Sequence, residues 1–137
     1  MNEALTEVDP FDLPEWLGES DVTWAAASGV RTGHHVRGSL TGDGHADVAC
    51  DLFAVDEAYP APVADDRTRL RAHQAWRHGQ VLLVRHQDRL ALAVPGTSFT
   101  ADLVLDALDR LARAVGSSAD HYTARLRIGT ERGTQRR

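Results

Sequence analysis

Seven histidines, a single cysteine and two pairs of adjacent acids are the groups in this 137-residue chain whose types could do chemistry. Metal ligands must converge on one point, whereas a strand sends successive side chains to opposite faces. His34 and His35 therefore diverge. His45 and Asp47 share a face that Cys50 does not, so this series makes a poor tetrahedral site and reads as polar edge residues beside a buried thiol. No metal or cofactor is expected. His73 is better placed, between Leu70 and Trp76 on the inner stripe of a helix, within reach of Asp56 or Glu57 from the preceding turn. Such a pair can shuttle protons; it can equally hold a loop in place by hydrogen bonding. Asp56, Glu57 and His73, with Trp76 as a wall, form the candidate pocket of a small enzyme or small-molecule sensor. Asp65 and Asp66 lack the glycine-punctuated ligand ladder of a cation loop and read as turn and helix-capping acids.

Nucleophilic catalysis finds little support. No serine sits in a Gly-x-Ser-x-Gly elbow, and Cys50 belongs to an apolar strand face instead of an electropositive helix start. The pairs Gly29 and Gly33, and Gly42 and Gly44, match neither a P-loop nor a dinucleotide fingerprint and punctuate hairpins. Trp24 and Trp76 have the rings to stack a base, but inward-facing tryptophans of a small domain are ordinarily core.

The elements that would position these groups follow from periodicity. Residues 1–10 read as disordered. Residues 11–18 carry a short docking helix, with Asp12 and Glu15 as a capping box, Phe11 and Trp16 as a hydrophobic staple and Gly18 as a stop. Phe11, Trp16 and Leu17 dock either on their own domain or in a neighbouring chain's groove. Alternation then marks strands at 22–26, 34–40 and 46–55, the last with Phe53 and Val55 implying cover on both faces. A helix from Asp65 or Asp66 to about residue 77 precedes a hairpin of strands 80–85 and 89–94. A long helix spans residues 98–115 and a closing strand 122–128. The expected fold is α+β, with a mainly antiparallel sheet of five or six strands packed on the long C-terminal helix, in the order α-β-β-β-α-β-β-α-β. It forms one domain over residues 11–128, followed by a flexible basic tail at 129–137.

The long helix is the most telling element. At about 100° per residue, Asp102, Asp106, Asp109, Arg110 and Arg113 fall on one narrow strip, and more than half of the circumference is apolar. One sheet covers Phe99, Val104, Ala107, Leu108, Leu111 and Val115; Ala101, Leu105 and Ala112 lie toward the far edge and call for a second covering, such as another subunit. Leu105, Leu108 and Ala112 are accordingly the expected partner contacts, with Phe11, Trp16 and Leu17 as a second anchor.

A chain of this length buries roughly two-thirds of its unfolded surface in one core. The lone cysteine excludes an internal disulfide framework, and no early apolar run resembles a signal peptide or membrane span, which points to the cytoplasm. All 15 bases are arginine, the mark of coding bias in a GC-rich bacterial genome. A net charge of −5 disfavours nucleic-acid binding, although the arginines after Asp120 form a basic end and the segment from Glu3 to Asp21 holds seven acids and no base.

This order of elements, over residues 11–115, resembles the secretion-chaperone-like fold of type III secretion chaperones and YbjN-like proteins; the added strand at 122–128 departs from it. The resemblance implies a small, acidic, non-enzymatic homodimer that binds a partner polypeptide along apolar patches. It carries over no functional residue. The expectation is a cytoplasmic, non-catalytic, chaperone-like adaptor that pairs with itself and with another protein.

Overall fold

Burial on both faces of the strand at residues 48–54 organises the molecule, and every other element is placed by which of those faces it covers. The computed structural model describes residues 5–27, 35–56 and 65–126. The chain runs through β1 (Thr6–Glu7), α1 (Trp16–Glu19), β2 (Val22–Ala26), β3 (His35–Val36), β4 (Gly38–Thr41) and β5 (Val48–Ala54). It continues through α2 (Asp66–Arg77), β6 (Leu82–His86), β7 (Arg89–Val94), α3 (Ala101–Ala114) and β8 (Tyr122–Arg125). The strands form an eight-stranded sheet in the order β1-β6-β7-β5-β4-β2-β8, with β3 also on β5.

The α+β class agrees with the sequence reading, but the sheet is mixed and larger than five or six strands. β5 runs parallel to β7, and β2 runs parallel to β8. Side-chain alternation reports which face a residue occupies and carries no information on neighbour direction. The hairpin of β6 and β7 inserts its second strand beside β5, and β8 returns after α3 to the far edge, so the long helix does not end the fold.

Residues expected to be loose also enter the sheet: Thr6 pairs with Arg85, Glu7 with Val84, and the Val8 N–H donates to the Leu83 carbonyl at 2.8 Å. Carried on, this register sets Pro10 against Val81. Proline has no N–H to offer, and the ladder stops in a 3-10 turn at Pro10–Asp12, capped by the Asp9 carboxylate. Leu13, which precedes Pro14, is extended as that position demands, so the expected helix over 11–18 is divided and Asp12 and Glu15 form no capping box.

Two cores result. On one face, Trp24, Leu40, Cys50, Leu52 and Leu92 pack with Val104, Leu108 and Leu111 of α3; on the other, Phe53, Val84, Ala91 and Ala93 pack with Ala72 of α2. The second covering that the broad apolar arc of α3 requires comes from the same chain. Leu17 of α1 is fully buried in that first core, Gly18 lies so close to the Val115 carbonyl that no Cβ fits, and Tyr122 packs alongside with its hydroxyl donating to the Leu17 carbonyl at 2.7 Å. Leu108, Ala112 and Leu17 are therefore enclosed and have no surface left for a partner. Trp16 is half-buried, its ring against Gly42 and stacked at 4.6 Å on His45. Leu105 is 50% exposed and Phe11 is 95% exposed, so of the expected contacts these two stand open to solvent.

The ladder between β3, β4 and β5 is interrupted at Arg37 although the register is unchanged, with Val36 opposite Leu52 and Ser39 opposite Ala49. The Trp24 ring lies against Gly38 there: a Cβ on Gly38 would stand 2.5 Å from ring carbons Cε2 and Cζ2. Both residues are buried, so Gly38→Ala forces the ring or the strand to move. A loss of about 1–3 kcal/mol is expected. Urea denaturation checks it: the midpoint should fall at unchanged slope, and an unaltered midpoint would show that the contact has slack.

Candidate functional site

Among the described residues polar groups meet at several places, three of which bear on function. The first is the pair anticipated from sequence. His73 on α2 meets Asp56, just past β5, with Nε2 2.7 Å from Oδ1, and the other carboxylate oxygen accepts from the Gly96 N–H at 2.8 Å. Burial works to raise the Asp56 pKa, but the His73 and Gly96 hydrogen bonds outweigh it and hold the carboxyl below its usual range. The result ties the ends of β5 and β7 to α2, a loop-fixing arrangement. Trp76, the wall expected beside it, carries the Arg110 guanidinium stacked on its ring at 3.6 Å. Glu57 and His34 lie outside the described residues, as does the basic tail.

The second place was not anticipated. Asp51, 1% exposed on β5, accepts from Arg89 Nε at 2.9 Å and Nη2 at 2.7 Å and from the Gly38 N–H at 3.2 Å, and His35 Nε2 lies 3.4 Å away. Arg89 Nη2 also donates to the Gly38 carbonyl at 3.1 Å. Phe53 and His86 complete a cluster with His35, at ring separations of 4.5–6.2 Å. Burial of Asp51 alone would raise its pKa; the His35, Arg89 and Gly38 hydrogen bonds and the Arg89 charge bring it down to about 2. The carboxylate is fully engaged in joining β4, β5 and β7. It is committed to structure, and so is Cys50, whose thiol is buried and pushed up by desolvation. Nothing in the spacing of Asp51 and Arg89 pairs them; the only signal is a lone acid inside an otherwise apolar strand.

Among the described residues no three of His, Cys, Asp and Glu converge as a metal site. Asp65 caps α2 by accepting from the Thr68 N–H at 2.8 Å, Asp66 meets Arg69 at 3.4 Å, and Trp24 is core, with its indole N–H donating to the Cys50 carbonyl at 2.8 Å.

The third place is a groove of about 840 Å³ between the C-terminal ends of α2 and α3. Ala75, Val81, Leu82, Leu83, Ala114 and Val8 give it apolar lining. Both helices end in left-handed glycines, Gly79 at φ 78° and Gly116 at φ 83°, so the chain turns sharply away on either side. The titratable lining is four arginines (Arg71, Arg77, Arg110 and Arg113), His78 and one acid, Glu7. Arg71 and Glu7 form a two-bonded pair at 2.7 Å, which holds the Glu7 carboxyl below its usual range. Arg110 is also committed: its Nη1 donates to the Trp76 and Gln80 carbonyls at 2.8 and 3.0 Å, and Nε to Asp106 at 3.2 Å. It thereby satisfies carbonyls at the end of α2 that would otherwise make the groove electronegative. Arg77 and Arg113 are exposed and have no ion-pair partner among the described residues. A basic residue in the last turn of a helix is ordinary; two helix ends converging with Arg71 on one concavity is not explained by dipoles alone.

No family model, curated protein or solved structure matches the chain.

The linkage at Asp51 has a definite sign. Its folded pKa lies below the ordinary 3.8, so its stabilisation is complete above that value and is lost as pH falls toward about 2. On the order of 2 kcal/mol should disappear across this window. Asp51→Asn strands Arg89 and should cost about 3 kcal/mol at neutral pH, while flattening the stability curve between those two values. Denaturation midpoints measured against pH distinguish this from general acid expansion, in which the variant would keep the wild-type slope.

Proposed function

We propose that this is a non-catalytic protein-binding protein of the cytoplasm, of adaptor or chaperone-like type, which takes a polypeptide segment in the groove between α2 and α3. One observation carries the reading: the groove joins an apolar floor to a rim of arginines, two of them unpaired among the described residues, on a chain whose net charge is −5. A local cationic concavity on an acidic protein selects anionic partners by complementarity, and its apolar floor suits side chains better than a phosphate backbone. The floor also lies beside the sheet edge where β1 breaks off, a place at which an extended segment finds backbone to follow. This shares with the secretion-chaperone-like resemblance the idea of an apolar surface offered to a partner chain, but it moves that surface away from Leu108 and Ala112 on α3.

The alternative, a small enzyme or sensor at Asp56 and His73, has the short His73 contact in its favour. Neither residue lines the groove.

Titration of isotope-labelled protein with synthetic peptides of acidic, neutral and basic composition, each bearing one aromatic residue, tests the proposal. Amide shifts should gather at residues 78–83 and 110–114 for at least one composition. Silence from all of them, together with a metabolite or divalent metal that raises the melting temperature in the wild type and not in His73→Ala, would overturn it in favour of the pocket.

A further inference from the structure

We infer that the occupant of the groove is a second copy of this chain, whose Phe11 and flanking acids enter it while its own groove receives Phe11 in return. The inference rests on the proposed use of the groove and names the partner. It begins from Phe11, a large aromatic side chain 95% exposed, on a turn that leaves the sheet at Pro10. Exposed apolar residues are common, but this one is held out by built geometry: the Asp9 carboxylate accepts from the Phe11 N–H at 3.0 Å, and Leu13 is extended ahead of Pro14. The staple to Trp16 that would bury it is not made, because Trp16 is engaged with Gly42 and His45.

Charge points to the same occupant. Asp12 and Glu15, beside Phe11, are exposed and without an ion-pair partner among the described residues, and the groove offers Arg77 and Arg113 in the same condition. The chain already makes one such match within itself, where Glu7 sits on Arg71 at the groove's edge.

Position then selects a copy of the chain over an unrelated protein. Pro10 lines the groove and Phe11 is the next residue, so projection and cavity belong to one surface patch. An isologous two-fold contact needs such a self-complementary patch, on which residue i meets j and j meets i. Two copies facing each other fill both grooves and cover both Phe11 rings at once. An acidic segment of another protein would fill the groove and leave Phe11 in water.

The test is sedimentation velocity over a concentration series at low and high salt, with the full chain. The wild type should form a dimer that weakens as salt rises. Phe11→Ala should weaken association at least about tenfold with an unchanged circular-dichroism spectrum, since an aromatic anchor in a pocket carries a large share of binding and Phe11 makes no core contact. Charge reversal supplies the decisive arm. A variant with Arg77→Glu and Arg113→Glu, and another with Asp12→Arg and Glu15→Arg, should each be monomeric alone, whereas their equimolar mixture should dimerise, because each acidic or basic anchor then meets a groove of opposite sign. A wild type that stays monomeric throughout overturns the inference, as does a dimer that survives Phe11→Ala but dissociates in Leu105→Glu, which places the contact on α3. Repeating the peptide titration on the Phe11→Ala chain separates the two readings: groove shifts there, with a monomeric wild type, leave the groove a polypeptide site and remove only its self-association.

Discussion

Buried backbone cannot be left without hydrogen-bond partners, and the centre of this sheet meets that constraint with side chains. At the interruption between β3 and β4, the Gly38 N–H goes to Asp51, the Gly38 carbonyl to Arg89 and the Cys50 carbonyl to the Trp24 indole. Three side chains from β2, β5 and β7 thus replace ladder bonds and bind four strands to one another. A charged pair in this position is costly to desolvate, and its geometry offsets the cost only because each oxygen of the Asp51 carboxylate has a donor. The break gains room for the Trp24 ring, which an unbroken pleat with a Cβ at residue 38 would exclude. Core packing on one face and the ion pair on the other are two sides of one arrangement.

What the sequence made legible was local. The alternation in β2 and β5, the Asp65 cap and the reach from His73 to Asp56 each depend on residues near in the chain or on one periodicity. What it hid was long-range. Asp51 and Arg89 lie 38 residues apart, and an aspartate inside an apolar strand looks like an anomaly until its cation is found. Strand direction was hidden for the same reason, since parallel and antiparallel neighbours show the same alternation. β1 is two residues long with both exposed, too short for any periodic signal.

The apolar arc of α3 teaches a narrower lesson. Its breadth does require two coverings, and both are present: the sheet on one side, and α1 with the turn leading into β8 on the other. Amphipathicity measures how much surface must be removed from water and says nothing of whose atoms remove it. Expecting a subunit there overlooked that Leu17 and Tyr122, at opposite ends of the chain, were free to close on each other.

The groove is a consequence of these same choices. Because the ladder of β1 ends where Pro10 lacks an N–H, the β6 edge is covered only in part; because α2 and α3 lie on opposite faces of the sheet and both end near that edge, their last turns flank what remains open. Arg110 closes the base by reaching from α3 to the Trp76 carbonyl in the last turn of α2 and to the Gln80 carbonyl just beyond it, and its charge offsets the negative end of that helix. Two arginines are then held above an apolar floor with no countercharge among the described residues, on a protein whose remaining charge is strongly acidic. Such a site attracts acidic surface. The acidic turn at Pro10–Asp12 lies at its rim, tethered there by the strand that precedes it, so the charge and the apolar side chain that match the groove are carried on the same patch of surface.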